Sequence, residues 1–142
     1  MSTTHATARS ITKTVSIRRP VAEVFAFLAD PANWPTWAVV NVKAIEPTDD
    51  PGWWLMTTPH GPARLRLRAN AELGLLDHDY VEEQASWEVP ARVVANGTGT
   101  EFMMTFFQPP AFSDAYFDQQ VSLVDTELAT LKGLLEQEAQ GR

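Results

Sequence analysis

The last quarter of the chain carries apolar side chains at the spacing of one helix face. From residue 113 onward, these positions are Phe117, Val121, Val124, Leu128, Leu131 and Leu135. The steps between them alternate between four and three residues, which matches the period of an α-helix. The positions predicted to face solvent are polar: Asp118, Gln119, Ser122, Asp125, Glu127, Lys132 and Glu136. Ser113 suits the N-cap, so we predict a long amphipathic helix over residues 113–140 that needs a broad apolar surface beneath it.

The start of the chain shows a change from strand to helical periodicity. Apolar and polar residues alternate over residues 11–18, which predicts a half-buried strand. Pro20 ends this strand and suits the first turn of a helix, and apolar residues at helical spacing follow as far as Leu28. Asp30 can cap a second, short helix over residues 32–37. We therefore predict one strand followed by two short helices.

The middle of the chain reads as a series of short strands. We predict strands over residues 39–46, 53–58, 64–69, 75–83, 86–95 and 100–108. Clusters of Pro, Gly, Asn and Asp separate them, and the Asn96-Gly97 pair is a strong hairpin signal. Turn signals recur roughly every ten residues, which is typical of an antiparallel meander.

Composition narrows the class of protein. The chain has 142 residues, enough for one domain with a core, and its hydrophobic content of 44% is that of a globular protein. A net charge of −7 disfavours binding to phosphate backbones, so we expect no nucleic-acid partner. Cys is absent, which excludes disulfides and thiol chemistry.

Neither a signal peptide nor a membrane-spanning stretch is expected. The first ten residues are small and polar, without the apolar run of a signal peptide. No apolar stretch approaches the roughly 18 residues needed to cross a bilayer. We therefore expect a soluble cytoplasmic protein without stable membrane insertion.

Two stretches near the start carry a family resemblance. Residues Val15 to Phe25 and Asp30 to Trp37, followed by six strands and a long helix, resemble the START-like superfamily. This group, also called SRPBCC, includes polyketide cyclases/dehydrases and lipid-transport proteins. The resemblance implies an α+β helix-grip fold, in which a curved seven-stranded antiparallel sheet wraps around the C-terminal helix and two short helices follow the first strand. We expect a single domain over residues 10–140, preceded by a flexible tail at 1–9.

The resemblance also implies a cavity between the sheet and the long helix. The residues expected to bind a ligand there are Trp34, Trp37, His78, Tyr80, Trp87, Arg92, Phe102, Met104, Phe106, Tyr116, Phe117, Gln120 and Val124. This aromatic lining suits an apolar or aromatic ligand that is lipid-like or polyketide-like. The alternative is that the same side chains simply fill a core.

His78 and Tyr80 are the candidate catalytic residues. Strand alternation places His78 on the same face as Leu76 and Tyr80, opposite Asp77 and Asp79. A neutral imidazole in a cavity could exchange a proton with a ligand carbonyl. The alternative is a core histidine that is hydrogen-bonded to the backbone. The two aspartates are better explained by a solvated strand face than by a metal site.

Arginines at two places raise the question of anion binding. One face of a predicted strand carries Arg64, Arg66 and Arg68. Such a basic face could bind an anionic ligand or partner. More usually it pairs with acids on a neighbouring strand. Arg92 could anchor a ligand carboxylate if it points inward, but Pro90 disturbs the alternation of that strand.

Three functions remain open. The chain lacks nucleophile and phosphate-loop motifs, and its His residues lack the spacing of an iron site, so we expect no cofactor and no metal. The first hypothesis is a protein that binds a small hydrophobic molecule. The alternatives are a polyketide cyclase/dehydratase-type enzyme that uses the same cavity, and a ligand-free protein-interaction module. A homodimer through the long helix or a sheet edge is compatible with each.

Overall fold

The structure is a computed structural model that describes residues 5–83 and 85–140, with side chains through residue 137. In chain order its strands are β1 (Ser10–Ile17), β2 (Ala44–Pro47), β3 (Trp53–Thr58), β4 (Gly61–Asn70), β5 (Leu75–Val81), β6 (Ser86–Val89), β7 (Ala91–Asn96) and β8 (Gly99–Phe107). Its helices are α1 (Val21–Leu28), a 3-10 turn (Pro31–Asn33), α2 (Trp34–Trp37) and α3 (Asp114–Gln140). This arrangement confirms the predicted α+β helix-grip fold.

All strands join one antiparallel sheet. Its order is β1-β8-β7-β5-β4-β3-β2, and β6 pairs with β5 beside this path. The first and last strands along the chain are neighbours, with Val15 opposite Phe102. The sheet therefore brings residues from both ends of the chain to one concave face, where α3 packs.

The predicted strand at 86–95 is two strands that meet at Pro90. Proline has no N–H to donate to a strand ladder. β6 pairs with β5, whereas β7 pairs along its length with β8 and meets β5 at Leu75 and Arg92. The break is bridged by Asp77, whose carboxylate accepts a hydrogen bond of 2.9 Å from the Ala91 N–H. The sheet consequently has eight strands by count, one more than predicted.

The second strand is shorter than predicted. Residues 39–43 form a loop, and β2 begins only at Ala44. The turn before β4 is tighter than predicted, because Gly61 already pairs with Thr58 at the start of the strand. Gly61 adopts a φ of 105°, a conformation that side-chain-bearing residues rarely adopt.

Helix α3 buries the face that the sequence predicts. All six apolar positions of its stripe are at most 4% exposed. Ser113 caps the helix, since its hydroxyl oxygen accepts a hydrogen bond of 3.1 Å from the Tyr116 N–H. The prediction is wrong for Glu127, which is only 4% exposed and lies at the edge of the buried stripe.

The outer face of the sheet carries the predicted arginine stripe. Arg66 and Arg68 lie 2.8 Å and 3.1 Å from the carboxylate of Asp79 on the neighbouring strand. The Arg64 guanidinium lies 4.4 Å from the centre of the Trp53 ring. These groups are partly exposed, so the pairs satisfy one another on a solvated face and each contributes little to stability.

The end of the predicted N-terminal tail is held in place. The Arg9 guanidinium donates to the Asp118 carboxylate at 2.8 Å and to Gln108 at 3.1 Å. The tail predicted at residues 1–9 also includes residues 1–4, which lie outside the described residues. Within the described part of the chain, no helix is long and apolar enough to cross a membrane.

Candidate functional site

A cavity lies between the concave face of the sheet and the first half of α3. Its volume is about 100 Å³, and the empty volume that includes its open side is about 770 Å³. Its lining residues are Trp34, Trp37, Ala38, Asn41, Val42, His60, His78, Tyr80, Glu82, Trp87, Val89, Met104, Phe106, Phe112, Tyr116, Gln120, Val121, Val124 and Glu127. Most of this wall is apolar or aromatic.

One end of the cavity is built from stacked aromatic rings. Trp87 meets Phe106 and Phe112 edge-on, with ring centres 6.2 Å and 5.4 Å apart. Behind it, the Phe117 ring stacks on Trp87 at 6.0 Å and is fully buried. Phe117 was expected to line the cavity, but it lies in the core beneath the lining. Such contacts fix the position of Trp87.

The two tryptophans of α2 form a second wall. The Trp34 indole N–H donates to the Leu28 carbonyl oxygen at 3.0 Å, which locks its ring against α1. Trp37 packs edge-on against Phe102 at 6.3 Å. Phe102, also expected in the lining, is core behind Trp37. The Trp37 indole N–H is buried and has no acceptor among the residues described here.

His78 lies on the inward face of β5, as alternation predicts. It is 4% exposed, and its ring stands edge-on to Trp34 at 5.0 Å. Nδ1 lies 3.0 Å from the Leu76 carbonyl oxygen, which requires the proton on Nδ1. Burial lowers the pKa of His78 to about 4, so the ring is neutral at pH 7. The same ring therefore both donates to the backbone and lines the cavity, and its Nε2 accepts no hydrogen bond from the residues described.

Tyr80, on the inward face of β5, and Glu82, just after the end of that strand, also line the cavity. Burial raises the pKa of Tyr80 to about 12, so its hydroxyl keeps its proton at neutral pH. Burial also raises the pKa of Glu82, and the nearby His60 partly opposes this shift. These residues add polar groups to the lining next to the aromatic ones, since Tyr80 pairs across the sheet with Trp87.

Glu127 is the polar lining residue that the sequence analysis placed in solvent. Its Oε2 accepts hydrogen bonds from the Val40 N–H at 3.2 Å and the Asn41 N–H at 2.9 Å. Its Oε1 accepts from the Asn41 side-chain amide at 3.1 Å. Burial raises the pKa of Glu127, and these hydrogen bonds oppose the rise. The sequence feature that indicates its position is spacing: Glu127 lies three residues after Val124 and so borders the apolar stripe.

Arg92 is not part of the site. Its neighbours Ala91 and Val93 are 4% and 2% exposed and face inward, whereas the Arg92 side chain is exposed on the outer face. The expectation that it anchors a ligand carboxylate is therefore wrong. The break at Pro90 restarts the alternation, which is why sequence alone did not decide the direction.

The other residues expected in the site do line the cavity. They are Trp34, Trp37, His78, Tyr80, Trp87, Met104, Phe106, Tyr116, Gln120 and Val124. The lining residues that the sequence analysis did not select come mainly from loops and strand ends: Ala38, Asn41, Val42, His60, Glu82, Val89, Phe112, Val121 and Glu127.

Comparison with known families agrees with this architecture. The model of the family described as polyketide cyclase/dehydrase and lipid transport matches residues 8–136. The chain belongs to this family. The match confirms the resemblance to the START-like superfamily that the opening strand and helices carry. A sequence comparison with curated proteins found no match.

Solved structures share the fold of this START-like protein at low sequence identity. The Zhui aromatase/cyclase from Streptomyces sp. R1128 is 14% identical with a TM-score of 0.72, covering 92% of this chain and 95% of its own. A START superfamily protein from Mycobacterium smegmatis is also 14% identical, with a TM-score of 0.71, covering 90% and 97%. The Aha1 dimer from Colwellia psychrerythraea is 10% identical with a TM-score of 0.72, covering 90% and 96%. At these identities the likeness shows the fold alone.

Proposed function

We propose that this START-like protein binds a small apolar or aromatic molecule in the cavity between the sheet and α3. The observation that carries the proposal is the lining itself. Aromatic rings held by their own packing, such as Trp34 and Trp87, surround a space that the core leaves open. Ligand pockets typically combine such a wall with a few placed polar groups, here His78, Tyr80 and Glu127.

The size of the cavity limits the ligand. Pockets for drug-sized ligands usually span about 300–1,000 Å³. The cavity volume of about 100 Å³ lies below this range, and the larger empty volume of about 770 Å³ includes the open side. The cavity is thus smaller than a typical pocket for a drug-sized ligand, so the proposed ligand is compact or inserts one end and extends through the open side.

Filling the cavity tests the proposal. Val124 lines it at 4% exposure, so Val124→Phe adds a ring where the ligand is proposed to lie. The control is Ala129→Phe, which adds a ring on the exposed side of the same helix. Native mass spectrometry with organic extraction, on protein from its own host, is expected to find a bound apolar molecule in the wild type and control but not in Val124→Phe.

Two-dimensional NMR supplies the second readout of this experiment. The spectra first establish that both variants are folded. A naphthalene-sized probe is then expected to shift the indole N–H signals of Trp34 and Trp37 in the wild type and in Ala129→Phe. The proposal is contradicted if the wild type carries no molecule and the probe leaves these signals unchanged.

A second candidate function is cyclase/dehydratase-type catalysis in the same cavity. The observation that favours it is the state of His78, a neutral ring whose Nε2 accepts no hydrogen bond from residues 5–83 and 85–140. Such a nitrogen can take a proton from an acidic carbon between two carbonyl groups, although a pKa of about 4 makes His78 a weak base. The protonated Tyr80 hydroxyl can donate to the oxygen that gains charge. A compact cavity adds rate by holding a flexible chain in a reactive fold.

Substitution of His78 separates the two functions. For an enzyme, His78→Gln is expected to reduce turnover of a poly-β-ketone substrate by roughly a hundredfold or more. For a carrier, the same change alters affinity only modestly and no turnover exists to lose. Arg92→Ala is the control for both, because its side chain lies on the outer face.

A further inference from the structure

The charged groups of the cavity lining are unbalanced in sign. Its acids are Glu82 and Glu127, and among the residues that the structure describes no Arg or Lys lines it. The imidazole of His60 also lines the cavity and lies near Glu82. The charge of Lys43 acts on Glu127 and lowers the pKa of that carboxyl group, but its Nζ donates to the Val39 carbonyl oxygen on the exposed side. Glu127 thus lines the cavity without an ion-pair partner among the residues described.

Glu127 is the more deeply buried of the two acids in the lining. It is 4% exposed, and its hydrogen-bond donors are two backbone N–H groups and the amide of Asn41, all of them neutral. Within the described residues, no ion pair joins it to a basic side chain. A carboxylate has room for about four hydrogen bonds, so Oε1 retains an acceptor site. A buried carboxylate normally has a cationic partner or holds a proton.

We propose that the ligand of this cavity is a compact aromatic or apolar amine whose protonated nitrogen binds against Glu127. The inference rests on the proposed function, because it specifies the ligand class of the same cavity. The ammonium group supplies the missing cation, and the ring occupies the aromatic end at Trp87 and Phe106.

Two further features favour a cation over an anion. The faces of Trp and Tyr rings attract cations, and Trp34, Tyr80 and Trp87 all line the cavity. The net charge of −7 adds a field that attracts cations and repels carboxylates, phosphates and sulfates. A ligand carboxylate placed next to Glu127 also suffers direct repulsion in a poorly solvated space.

Glu127 also has a structural role that must be separated from ligand binding. It clamps residues 40–41 to α3 through the hydrogen bonds described above. Glu127→Gln keeps an oxygen that accepts from both backbone N–H groups but removes the negative charge. A purely structural role therefore predicts equal selectivity in the variant and the wild type.

Three probes with the same ring and different charge test the proposal. They are 2-naphthylmethylamine, 2-naphthalenemethanol and 2-naphthoate, measured by isothermal titration calorimetry at pH 7, with two-dimensional NMR to localise binding. In the wild type the amine is expected to bind at least about tenfold more tightly than the alcohol, since hydrogen bonds to charged groups are the stronger ones. The carboxylate is expected to bind most weakly.

In Glu127→Gln the advantage of the amine is expected to fall to within about twofold of the alcohol. Asp125→Asn is the matched control, because it removes one charge from the exposed side of the same helix and should keep the selectivity. Equal binding of amine and alcohol in the wild type, or a preference for the carboxylate, overturns this inference and leaves the proposed function intact. Failure of all three probes to bind contradicts the proposed function, and the inference fails with it.

Discussion

Replacement of Leu128 by Ala tests the packing on which the cavity depends. Leu128 lies in the middle of α3 and is 3% exposed, on the stripe that contacts the sheet. The change removes three carbon atoms, and transfer alone costs about 0.8 kcal/mol for each buried methylene-sized group, or roughly 2.4 kcal/mol. The remaining hole adds a cavity term, so we expect a loss of about 2–5 kcal/mol in the free energy of unfolding.

Urea denaturation followed by circular dichroism at 222 nm measures this loss. The slope of the transition should stay unchanged, so that the shift in midpoint reports stability rather than a change in the denatured state. Leu123→Ala is the matched control on the same helix, because Leu123 is partly exposed and its truncation removes less buried surface. A loss below about 1 kcal/mol for Leu128→Ala, or equal losses for both variants, would show that α3 does not bury this face.

Three further predictions concern titration and backbone conformation. The imidazole of His78 should titrate in NMR spectra near pH 4 instead of the usual 6.5. Its neutral form therefore stabilises the fold fully above pH 6.5 and less as the pH falls toward 4. A titration midpoint near pH 6.5 would contradict the burial of His78. The ammonium of Lys132 and a backbone N–H lower the pKa of Glu136 from 4.5 to about 2. Glu136→Gln should therefore lower the free energy of unfolding at pH 7, and by progressively less as the pH falls from 4.5 toward 2. An equal loss at pH 7 and pH 2 in urea denaturation would refute this. Gly74 has a φ of +69°, and an added Cβ would lie 2.5 Å from a backbone carbonyl oxygen. Thermal denaturation should therefore show that Gly74→Ala loses more stability than the roughly 1–2 kcal/mol of a left-handed residue. The control is Gly97→Ala, which has a φ of +60° and open space around the added Cβ, and should lose no more than that amount. Equal losses in the two variants would contradict the close contact at Gly74.

Periodic patterns predicted most of this fold because they arise from local geometry. The steps of four and three residues along α3 identify the buried face without knowledge of what covers it, and Phe117 and Leu128 are buried as expected. Alternation along β5 likewise places His78 on the inward face. Alternation cannot show which inward residues border a cavity. Phe102 and Met104 share a face of β8, but of these two residues only Met104 lines the cavity.

Arg92 shows where alternation stops being informative. Its predicted strand included Pro90, and one residue of uncertainty there exchanges the inner and outer faces for everything that follows. In the structure, β6 ends at this point and β7 begins with a new hydrogen-bonding partner, which sets the face on which Arg92 lies. The Asp77 carboxylate that bridges the break lies on another strand, so the deciding contact is tertiary.

The wrong strand at residues 39–43 and the wrong exposure of Glu127 have one physical cause. A β-branched run predicts a strand when its N–H groups pair with a neighbouring strand, but here the Val40 and Asn41 N–H groups donate to Glu127 on α3. The loop thereby leaves the sheet and covers the carboxylate that it binds. A polar residue bordering an apolar stripe is normally solvated, and only a contact across more than 80 positions of sequence makes it part of a cavity wall. The same contact leaves a buried acid in the cavity wall, at a position that local patterns assign to solvent.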